Sequence, residues 1–325
     1  MNARSVPRHR QRGIAVITAL LLTTLAITIV ASLFWQQQVQ VRAIENQRLQ
    51  LQKQWILRGA LDWAGLILRE DAKHSSADNL DEPWAVPLAA TRLDQYVENG
   101  HADDNVAGAI LSGGISDAQA RYNLTNLCAN GTIDPAEVAA FARLLNNAQM
   151  NPALAQATAD ALAATQRSGK PGAAMKPQAA AGNNGNQPDP RPMNLTQLED
   201  LLAVPGFSPE MLDKLKNFVI FLPRTTPVNV NTAPVEVLAA RIDALSPDEA
   251  AALAAQRKVA SFRDLADFAQ RLPGKSFTAP ANEVSVETHY FLVDGKVRMN
   301  RAGLDVQALI ERNGSHTKVI WIREY

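Results

Sequence analysis

The chain has 325 residues with 32 basic and 32 acidic side chains, so its formal net charge is zero. This balance argues against a general nucleic-acid binder, because such proteins usually carry an excess of Lys and Arg. The single cysteine, Cys128, excludes an intrachain disulfide and a zinc site built from several cysteines. The length is enough for about two domains beyond a membrane segment.

The N-terminus combines a basic leader with a long uncharged segment. Residues 1–13 contain four arginines and no acidic residue, and the stretch from Ile14 to Trp35 carries no charge. About 22 residues at 1.5 Å each span the ~30 Å hydrocarbon core of a bilayer. We therefore predict a transmembrane helix at 14–35, with the leader in the cytoplasm and the bulk of the chain on the far side.

Three interpretations of this segment differ in how it is processed. A cleaved secretory signal peptide would have a shorter apolar region that ends in small residues, whereas Leu33, Phe34 and Trp35 end this one. An uncleaved membrane anchor is the second interpretation. The third rests on the junction of Gly13 and Ile14, where the basic leader ends and the apolar run begins.

This junction resembles the class III leader of type IV pilins and type II secretion pseudopilins. The resemblance implies that a prepilin peptidase cleaves between Gly13 and Ile14, and that Ile14 becomes an N-methylated N-terminus. Most pilin-like subunits carry Glu at mature position five, where this chain has Thr18. An uncharged residue there is typical of the K-type minor pseudopilins, the general secretion pathway protein K family.

The helical pattern continues beyond the membrane segment. No proline occurs between Pro7 and Pro83, and apolar residues recur at three- and four-residue spacing within 36–71. We predict one helix from about 14 to about 71, ~85 Å long, whose second half packs on a soluble domain. Its last part, WILRGALDWAGLILRED, resembles the corresponding segment of the K family. An amphipathic juxtamembrane helix with coiled-coil potential is the alternative.

A polar region and two predicted strands follow the stem. Residues 72–105 predict loop with a short helix near Leu93–Val97, and strands are expected at Val106–Ile115 and Arg121–Leu124. The segment DAQARYNLTNL, residues 117–127, is similar to a motif of the K family. Its matching positions are Asp117, Arg121, Tyr122, Asn123, Leu124, Asn126 and Leu127.

A long helical block comes next. It begins with an Ala-rich stretch of helical spacing from Pro135 to Arg167. Residues 168–193 are rich in Gly, Pro, Asn and Ala, so we expect a flexible loop there. Several further helices are preceded by capping residues. They are predicted at Leu195–Leu202, Pro209–Phe221, Ala233–Ile242, Pro247–Lys258 and Phe262–Arg271.

The C-terminal part predicts an antiparallel meander. Val284–Val293 alternates in polarity and is followed by Asp294-Gly295, a dipeptide typical of a tight hairpin turn. Asn313-Gly314 predicts a second turn. The strands between and after these turns are expected at Lys296–Asn300, Asp305–Arg312 and His316–Arg323.

Together these elements predict an α+β protein. A long N-terminal transmembrane and stem helix packs on an antiparallel, pilin-like sheet, and a large all-α domain of the helix-hairpin-helix or SAM-like kind is inserted between strands. The predicted parts are the leader 1–13, the transmembrane helix 14–35, its periplasmic continuation 36–71, the first part of the α/β domain 72–124, the helical insert 125–283 and the second part of the α/β domain 284–325.

Two segments resemble helix-hairpin-helix units, so a membrane-anchored DNA-uptake receptor of the competence type is the alternative function. The first turns at Pro205-Gly206. The second lacks glycines and places Asp248 and Glu249 where a phosphate would approach. Acidic residues also outnumber basic residues within 194–272, which disfavours a phosphate backbone. We therefore expect no nucleic-acid partner.

Hard oxygen donors cluster in two loops that could take Ca²⁺. Their members are Asp78, Asp81 and Glu82 in the first loop and Asp103, Asp104 and Asn105 in the second. Some K-type pseudopilins bind calcium, but neither cluster has EF-hand spacing, so solvated acidic loops are the alternative and the metal ligands stay undetermined. No other cofactor is expected. The chain shows no catalytic motif and is not expected to be an enzyme.

The resemblance to the K family implies a structural role in type II secretion. It implies a single-pass protein of the inner membrane, with its bulk in the periplasm, in a tip complex with the minor pseudopilins I and J. Further partners implied are other pseudopilins, the prepilin peptidase and the inner-membrane secretion platform. Thr18 fits a tip subunit, because such a subunit has none above it whose amine needs a carboxylate.

Overall fold

The computed structural model describes residues 12–93, 109–168, 194–243, 245–272, 282–299 and 302–325. In these ranges the α-helices are α1 (Arg12–Asp71), α2 (Pro135–Asn147), α3 (Leu154–Ser168), α4 (Pro209–Leu215), α5 (Val235–Arg241), α6 (Pro247–Val259) and α7 (Leu265–Gln270). The strands are β1 (Leu88–Arg92), β2 (Ile110–Asp117), β3 (Tyr122–Asn123), β4 (Cys128–Ala129), β5 (Thr132–Ile133), β6 (Val219–Ile220), β7 (Val228–Asn229), β8 (Val284–Ser285), β9 (Tyr290–Met299), β10 (Ala302–Asn313) and β11 (His316–Glu324).

The helix α1 is continuous over 60 residues, which confirms the predicted helix over 14–71. At 1.5 Å per residue it is about 90 Å long. Its first half is exposed, whereas one face of its second half is buried against the sheet. The buried residues recur every three or four positions, as one side of a helix requires. They are Leu57, Leu61, Ala64 and Leu68.

The main sheet is antiparallel with the strand order β1-β2-β9-β10-β11. The helical block lies between β2 and β9 in the sequence, yet these two strands pair along their length. The chain therefore leaves the sheet after β2 and returns beside it. This arrangement confirms the α+β class, with a long helix packed on an antiparallel sheet.

The strand β1 lies where the sequence predicts loop. It forms one edge of the sheet and most of its side chains are exposed, so its residues lack the alternating pattern of a half-buried strand. Of the short helix predicted near Leu93–Val97, only Leu93 is among the described residues. The predicted strand from Val106 is observed from Ile110.

The hairpin turn predicted at Asp294-Gly295 is wrong, because both residues lie inside β9. Gly295 is opposite Gly113 of β2, and a Cβ atom on Gly113 would collide with the carbonyl oxygen of Asp294. Glycine is needed here for the close approach of two backbones rather than for a turn. The turn predicted at Asn313-Gly314 is confirmed, since it joins β10 to β11 and Gly314 has a φ of +57°.

The helical block has an apolar core of its own. The helix α2 packs against α3 and α5, and α5 packs against α6. Several helices begin as the sequence predicts, with a capping residue followed by proline. Asp134 accepts a hydrogen bond from the backbone N–H of Ala136 at 2.9 Å, and Ser208 and Ser246 cap α4 and α6.

Three predictions within the block are wrong in detail. The helix α4 ends at Leu215 rather than at residue 221, because Val219–Ile220 forms β6. The predicted strand at 121–124 is the two-residue β3, which pairs in parallel with β6 and not with the main sheet. The predicted helix at 195–202 is a 3-10 helix over Leu198–Ala203. The helices predicted at 233–242, 247–258 and 262–271 are observed as α5, α6 and α7.

Candidate functional site: the stem helix and its junction with the helical block

The part of α1 from residue 15 to residue 35 is apolar and exposed on every side. The helix α1 is the one helix among the described residues that is long and apolar enough to cross a membrane, and its most apolar part is not buried in the protein. The threonine hydroxyls in this span donate to backbone carbonyls one turn earlier, which suits them to an apolar surround. Thr18 Oγ1, for example, donates to the carbonyl of Ala15 at 3.0 Å.

Gly13 and Ile14 lie in the first turn of α1, and the leader up to residue 11 lies outside the described residues. Cleavage between these two residues and methylation of Ile14 stay predictions. Thr18 follows Ile14 by four residues, so the two positions lie on the same side of the helix one turn apart.

The second half of α1 has an exposed apolar face as well as a buried one. Trp55 and Leu66 each precede a buried leucine by two residues, which turns them about 200° away from the sheet at 3.6 residues per turn. They are 69% and 52% exposed, and Leu51 and Trp63 are also exposed. Large apolar side chains gathered on one exposed face are typical of a protein–protein interface.

Arg312 of β10 joins the end of α1 to the loop that follows it. Its Nη1 donates to Asp71 Oδ2 at 2.9 Å, and its Nη2 donates to Asp78 Oδ1 at 2.5 Å and to the carbonyl of Thr288 at 3.0 Å. The guanidinium also lies 4.6 Å from the ring centre of Phe291. Burial raises the pKa of Asp71 to about 6, with a further contribution from the Glu82 carboxylate.

Asp117, the last residue of β2, ties the helical block to the sheet. Its Oδ2 accepts hydrogen bonds from Thr232 Oγ1, Thr288 Oγ1 and Asn229 Nδ2, at 2.5, 2.6 and 2.9 Å. Its Oδ1 accepts from the backbone N–H of Gln119 at 2.7 Å. Burial raises the pKa of Asp117 to about 6 even though these donors favour the charged form. We call Asp71, Asp78, Asp117, Asn229, Thr232, Thr288 and Arg312 the junction network.

The motif at 117–127 holds the chain segment 222–226 inside the block. Asn123 Nδ2 donates to the carbonyl of Arg224 at 2.7 Å, and its Oδ1 accepts from the backbone N–H of Leu222 at 3.1 Å. Asn126 makes a matching pair of hydrogen bonds with the backbone of Thr226, at 2.8 and 3.0 Å. A buried amide side chain can satisfy a backbone donor and acceptor together, so asparagine suits both positions.

Comparison with known proteins points to one family. Models of Type II secretion system (T2SS), protein K, match residues 120–224 and 228–287, which together make up about half of the chain. The chain belongs to the protein K family of the type II secretion system. This family consists of minor pseudopilins, which are structural subunits and not enzymes. The two matches cover the helical block. They include Asn123 and Asn126 of the motif, and Asn229 and Thr232 of the junction network.

Individual relatives agree with the family assignment. The Type II secretion system protein K of Pseudomonas aeruginosa is 29% identical over 90% of this chain and 86% of its own length. The protein of the same name from Klebsiella pneumoniae is 26% identical over 94% of each chain. The fold resembles a chain in the crystal structure of the GspK-GspI-GspJ complex from enterotoxigenic Escherichia coli. The TM-score is 0.60 at 19% identity, covering 86% of this chain and 98% of that one.

The acidic cluster that forms near the junction differs from the one predicted. Asp78 and Glu82 do come together, but the third carboxylate is Asp71, and Asp81 is exposed. Arg312 already forms ion pairs with two of these groups, Asp71 and Asp78, and Glu82 Oε2 accepts a hydrogen bond from Trp84 Nε1 at 2.8 Å. Because these carboxylate oxygens already have protein partners, the described residues fit an arginine–carboxylate network better than a calcium cage. Residues 103–105 lie outside the described residues.

The hairpins of this protein K family member do not present a phosphate site. Gly206 has a φ of +104°, and a Cβ atom at this position would lie 2.7 Å from Leu154 Cδ2. The first turn therefore packs closely against the start of α3. At the second hairpin, Ser246 and Glu249 form a capping box, in which Glu249 Oε2 accepts a hydrogen bond from the backbone N–H of Ser246 at 2.8 Å. The family assignment and this geometry leave the DNA-uptake alternative without support.

Most of the junction network is not predicted from the sequence. Asp78 is predicted as a candidate metal ligand and Asp117 as part of a family motif, whereas Arg312, Thr288 and Asn229 are not predicted. The available signal was an arginine at the end of an apolar strand, which marks a buried charge that needs partners.

Proposed function

We propose that this chain is the tip subunit of the periplasmic pseudopilus, which it initiates and caps for protein export across the outer membrane. One observation carries the proposal. Asp71, the last residue of α1, is linked through Arg312 and Thr288 to Asp117 and the helical block. The block therefore lies at the end of the stem that is remote from the apolar N-terminal half.

The position of the block supports a capping role. In a filament whose stems run side by side, each subunit is followed by one shifted along the axis. The block adds roughly half of the chain at the remote end of the stem, where the next subunit would stack. A subunit of this shape ends the filament, and Thr18 in place of an acidic residue is consistent with the first position.

The proposed partners are the minor pseudopilins I and J. The related Escherichia coli chain was crystallised in a GspK-GspI-GspJ complex. The exposed face of α1 with Leu51, Trp55, Trp63 and Leu66 is the proposed contact surface, because it is apolar and turned away from the chain's own sheet. Other pseudopilins and the inner-membrane platform are further proposed partners.

The proposed location is the bacterial inner membrane, with a single span at 14–35 and the bulk of the chain in the periplasm. Processing by the prepilin peptidase between Gly13 and Ile14, with methylation of Ile14, belongs to the same proposal. So do the domain bounds, with the helical insert at 125–283. The basic leader and the uncharged helix behind it support this orientation.

Two experiments test the proposal. The full chain, tagged at its C-terminus, is produced with the I and J subunits and the prepilin peptidase and is purified in a mild detergent. We expect I and J to co-purify with this chain, and recovery of the chain without them would contradict the proposed partners. Intact-mass spectrometry of the same sample is expected to give a chain that begins at N-methylated Ile14. A chain that retains its leader would contradict the proposed cleavage, but it would not contradict the proposed partners.

A further inference from the structure

A cleft opens between the helical block and the face of the main sheet near its β11 edge. It has a volume of about 280 Å³. Polar, charged and aromatic side chains from both parts of the protein line it. They include Arg121, Glu199, Lys216, Gln307, Trp321 and Arg323.

Arg121 has an unusual environment in this cleft. It is partly buried, yet its guanidinium makes no hydrogen bond or ion pair with any residue that the structure describes. Burial lowers the pKa of Arg121, and Asp294 and Asp117 act on it in the opposite direction only through charge attraction. The buried Arg241 and Arg312, by contrast, each donate to carboxylates. Because a guanidinium stays charged at any physiological pH, burial without an acceptor is costly.

Two further basic side chains, Arg323 and Lys216, line the cleft together with Arg121. The Arg323 guanidinium lies 4.1 Å from the ring centre of Trp321, and no carboxylate among the described residues pairs with it. Lys216 pairs with Asp213 at 2.9 Å, but both side chains are exposed. Glu199 is the one acidic side chain that lines the cleft within the described part of the chain. The lining is therefore net positive.

The geometry also indicates the form of the ligand. Among the strands that the structure describes, β11 pairs only with β10, so its outer edge offers backbone groups to an added strand. Trp321 and Arg323 are two residues apart on β11, so their side chains lie on the same face of the sheet, and both line the cleft. An extended segment laid along β11 would place every second side chain on the cleft side. A guanidinium binds a carboxylate through two parallel hydrogen bonds.

We propose that this cleft binds an extended acidic segment of a partner polypeptide, with a Glu or Asp side chain of the partner on Arg121. This partner site is separate from the exposed face of α1, so the proposal does not depend on the tip assignment. The partner is defined by its chemistry: an extended strand with carboxylates at alternate positions.

The test uses fluorescence anisotropy with the full chain in detergent micelles. The probe is a labelled eight-residue peptide of alternating Thr and Glu, blocked at both ends, and its counterpart has Gln in place of Glu. We expect the Glu peptide to bind at least about tenfold more tightly than the Gln peptide. Arg121→Met should weaken Glu-peptide binding by a similar factor. Lys214→Met, which removes the same charge from α4 outside the cleft, should change it less than twofold.

Thermal unfolding separates a binding role from a structural one. Arg121→Met removes a charge that has no acceptor among the described residues, so its melting temperature should equal or exceed that of the parent chain. A drop as large as that of Arg241→Met would make Arg121 structural and would overturn the proposal. Equal binding of both peptides, no binding of the Glu peptide up to 1 mM, or unchanged binding by Arg121→Met would also overturn it. Displacement of the peptide by an equal concentration of N-acetylglutamate would overturn the polypeptide assignment.

Discussion

Arg241 of α5 and Glu137 of α2 form a two-point ion pair in the interior of the helical block. Nη1 donates to Oε2 at 2.6 Å and Nη2 donates to Oε1 at 2.8 Å, and the two side chains are 2% and 9% exposed. Tyr122 Oη donates to the same Glu137 carboxylate at 2.9 Å. The pair therefore fastens two helices to the strand β3 that carries the family motif.

Removing one member of this pair should destabilise the block strongly. Arg241→Met leaves the Glu137 carboxylate buried without its cation, which costs about 3–5 kcal/mol. The double variant with Glu137→Met should recover most of that loss, because no charge remains buried. Urea unfolding followed by circular dichroism measures both, and Lys73→Met is the control for an exposed pair, with a much smaller expected loss. Equal losses in the single and double variants would contradict this account.

The glycine at the centre of the β2–β9 pair should tolerate no side chain. Gly113→Ala places a methyl group against the carbonyl of Asp294, so we expect a loss of about 1–3 kcal/mol in the free energy of unfolding. Gly59→Ala is the matched control, because nothing lies within 4 Å of its Cβ and the position is inside α1. It should gain about 0.5–1 kcal/mol. Similar effects at both sites would show that close backbone approach is not the reason for Gly113.

The two asparagines of the family motif should matter through the backbone that they hold. Asn123→Ala leaves the buried N–H of Leu222 and the carbonyl of Arg224 without partners, so a loss of about 2–4 kcal/mol is expected. Asn146→Ala, at an exposed position of α2, should change stability by less than about 0.5 kcal/mol. The melting temperature of each variant measures the effect, and a neutral Asn123→Ala would contradict the role given to the motif.

The buried carboxylates predict a chain that is more stable in mild acid. Asp117 has a pKa of about 6 in the folded chain against 3.8 when exposed, so the folded chain binds its proton more tightly. The free energy of unfolding therefore falls as the pH rises from about 4 to about 6. Between pH 5 and pH 7.5 Asp117 alone contributes about 1.4 kcal/mol, and Asp71 acts in the same direction.

Urea unfolding at the two pH values tests this dependence. The parent chain should be more stable at pH 5, and in Asp117→Asn the difference should shrink by about 1.4 kcal/mol because asparagine does not titrate. Greater stability at pH 7.5 in the parent, or an unchanged difference in the variant, would contradict the pKa assigned to Asp117.

The exposed face of α1 should be needed for assembly and not for folding. Trp55 is 69% exposed, so Trp55→Gln should leave the melting temperature unchanged while reducing co-purification of the I and J subunits. Leu61 is 5% exposed on the opposite face, so Leu61→Gln should lower the melting temperature instead. Retention of I and J by Trp55→Gln would exclude this face as the contact surface.

Much of the fold could be predicted because local patterns agree with it. The uninterrupted spacing of apolar residues predicts α1 to within about two residues, and the capped prolines predict the starts of α2, α4 and α6. The errors arise where a distant contact overrides a local signal. Asp294-Gly295 has the composition of a turn, but the close approach of Gly113 from β2 keeps it in an extended strand.

The candidate site was less predictable than the fold. The membrane segment follows from composition and charge, whereas the interest of Thr18 follows from the resemblance of the Gly13–Ile14 junction to a pilin leader. The junction network does not, because its members come from α1, β2, β10 and the helical block, up to 241 residues apart in the case of Asp71 and Arg312. For the same reason the predicted acidic cluster is wrong in one member. The sequence places Asp81 near Asp78 and Glu82, but in the fold the end of α1 brings Asp71 beside them instead.

The proposed position of this chain at the end of the filament can be tested by electron microscopy of pseudopili produced from the complete secretion system. The chain carries a tag at its C-terminus, and a gold-labelled binder marks the tag. We expect one label at a single end of each filament. Labels spaced along the filament would contradict it, because the helical block could then not end the stacking of subunits.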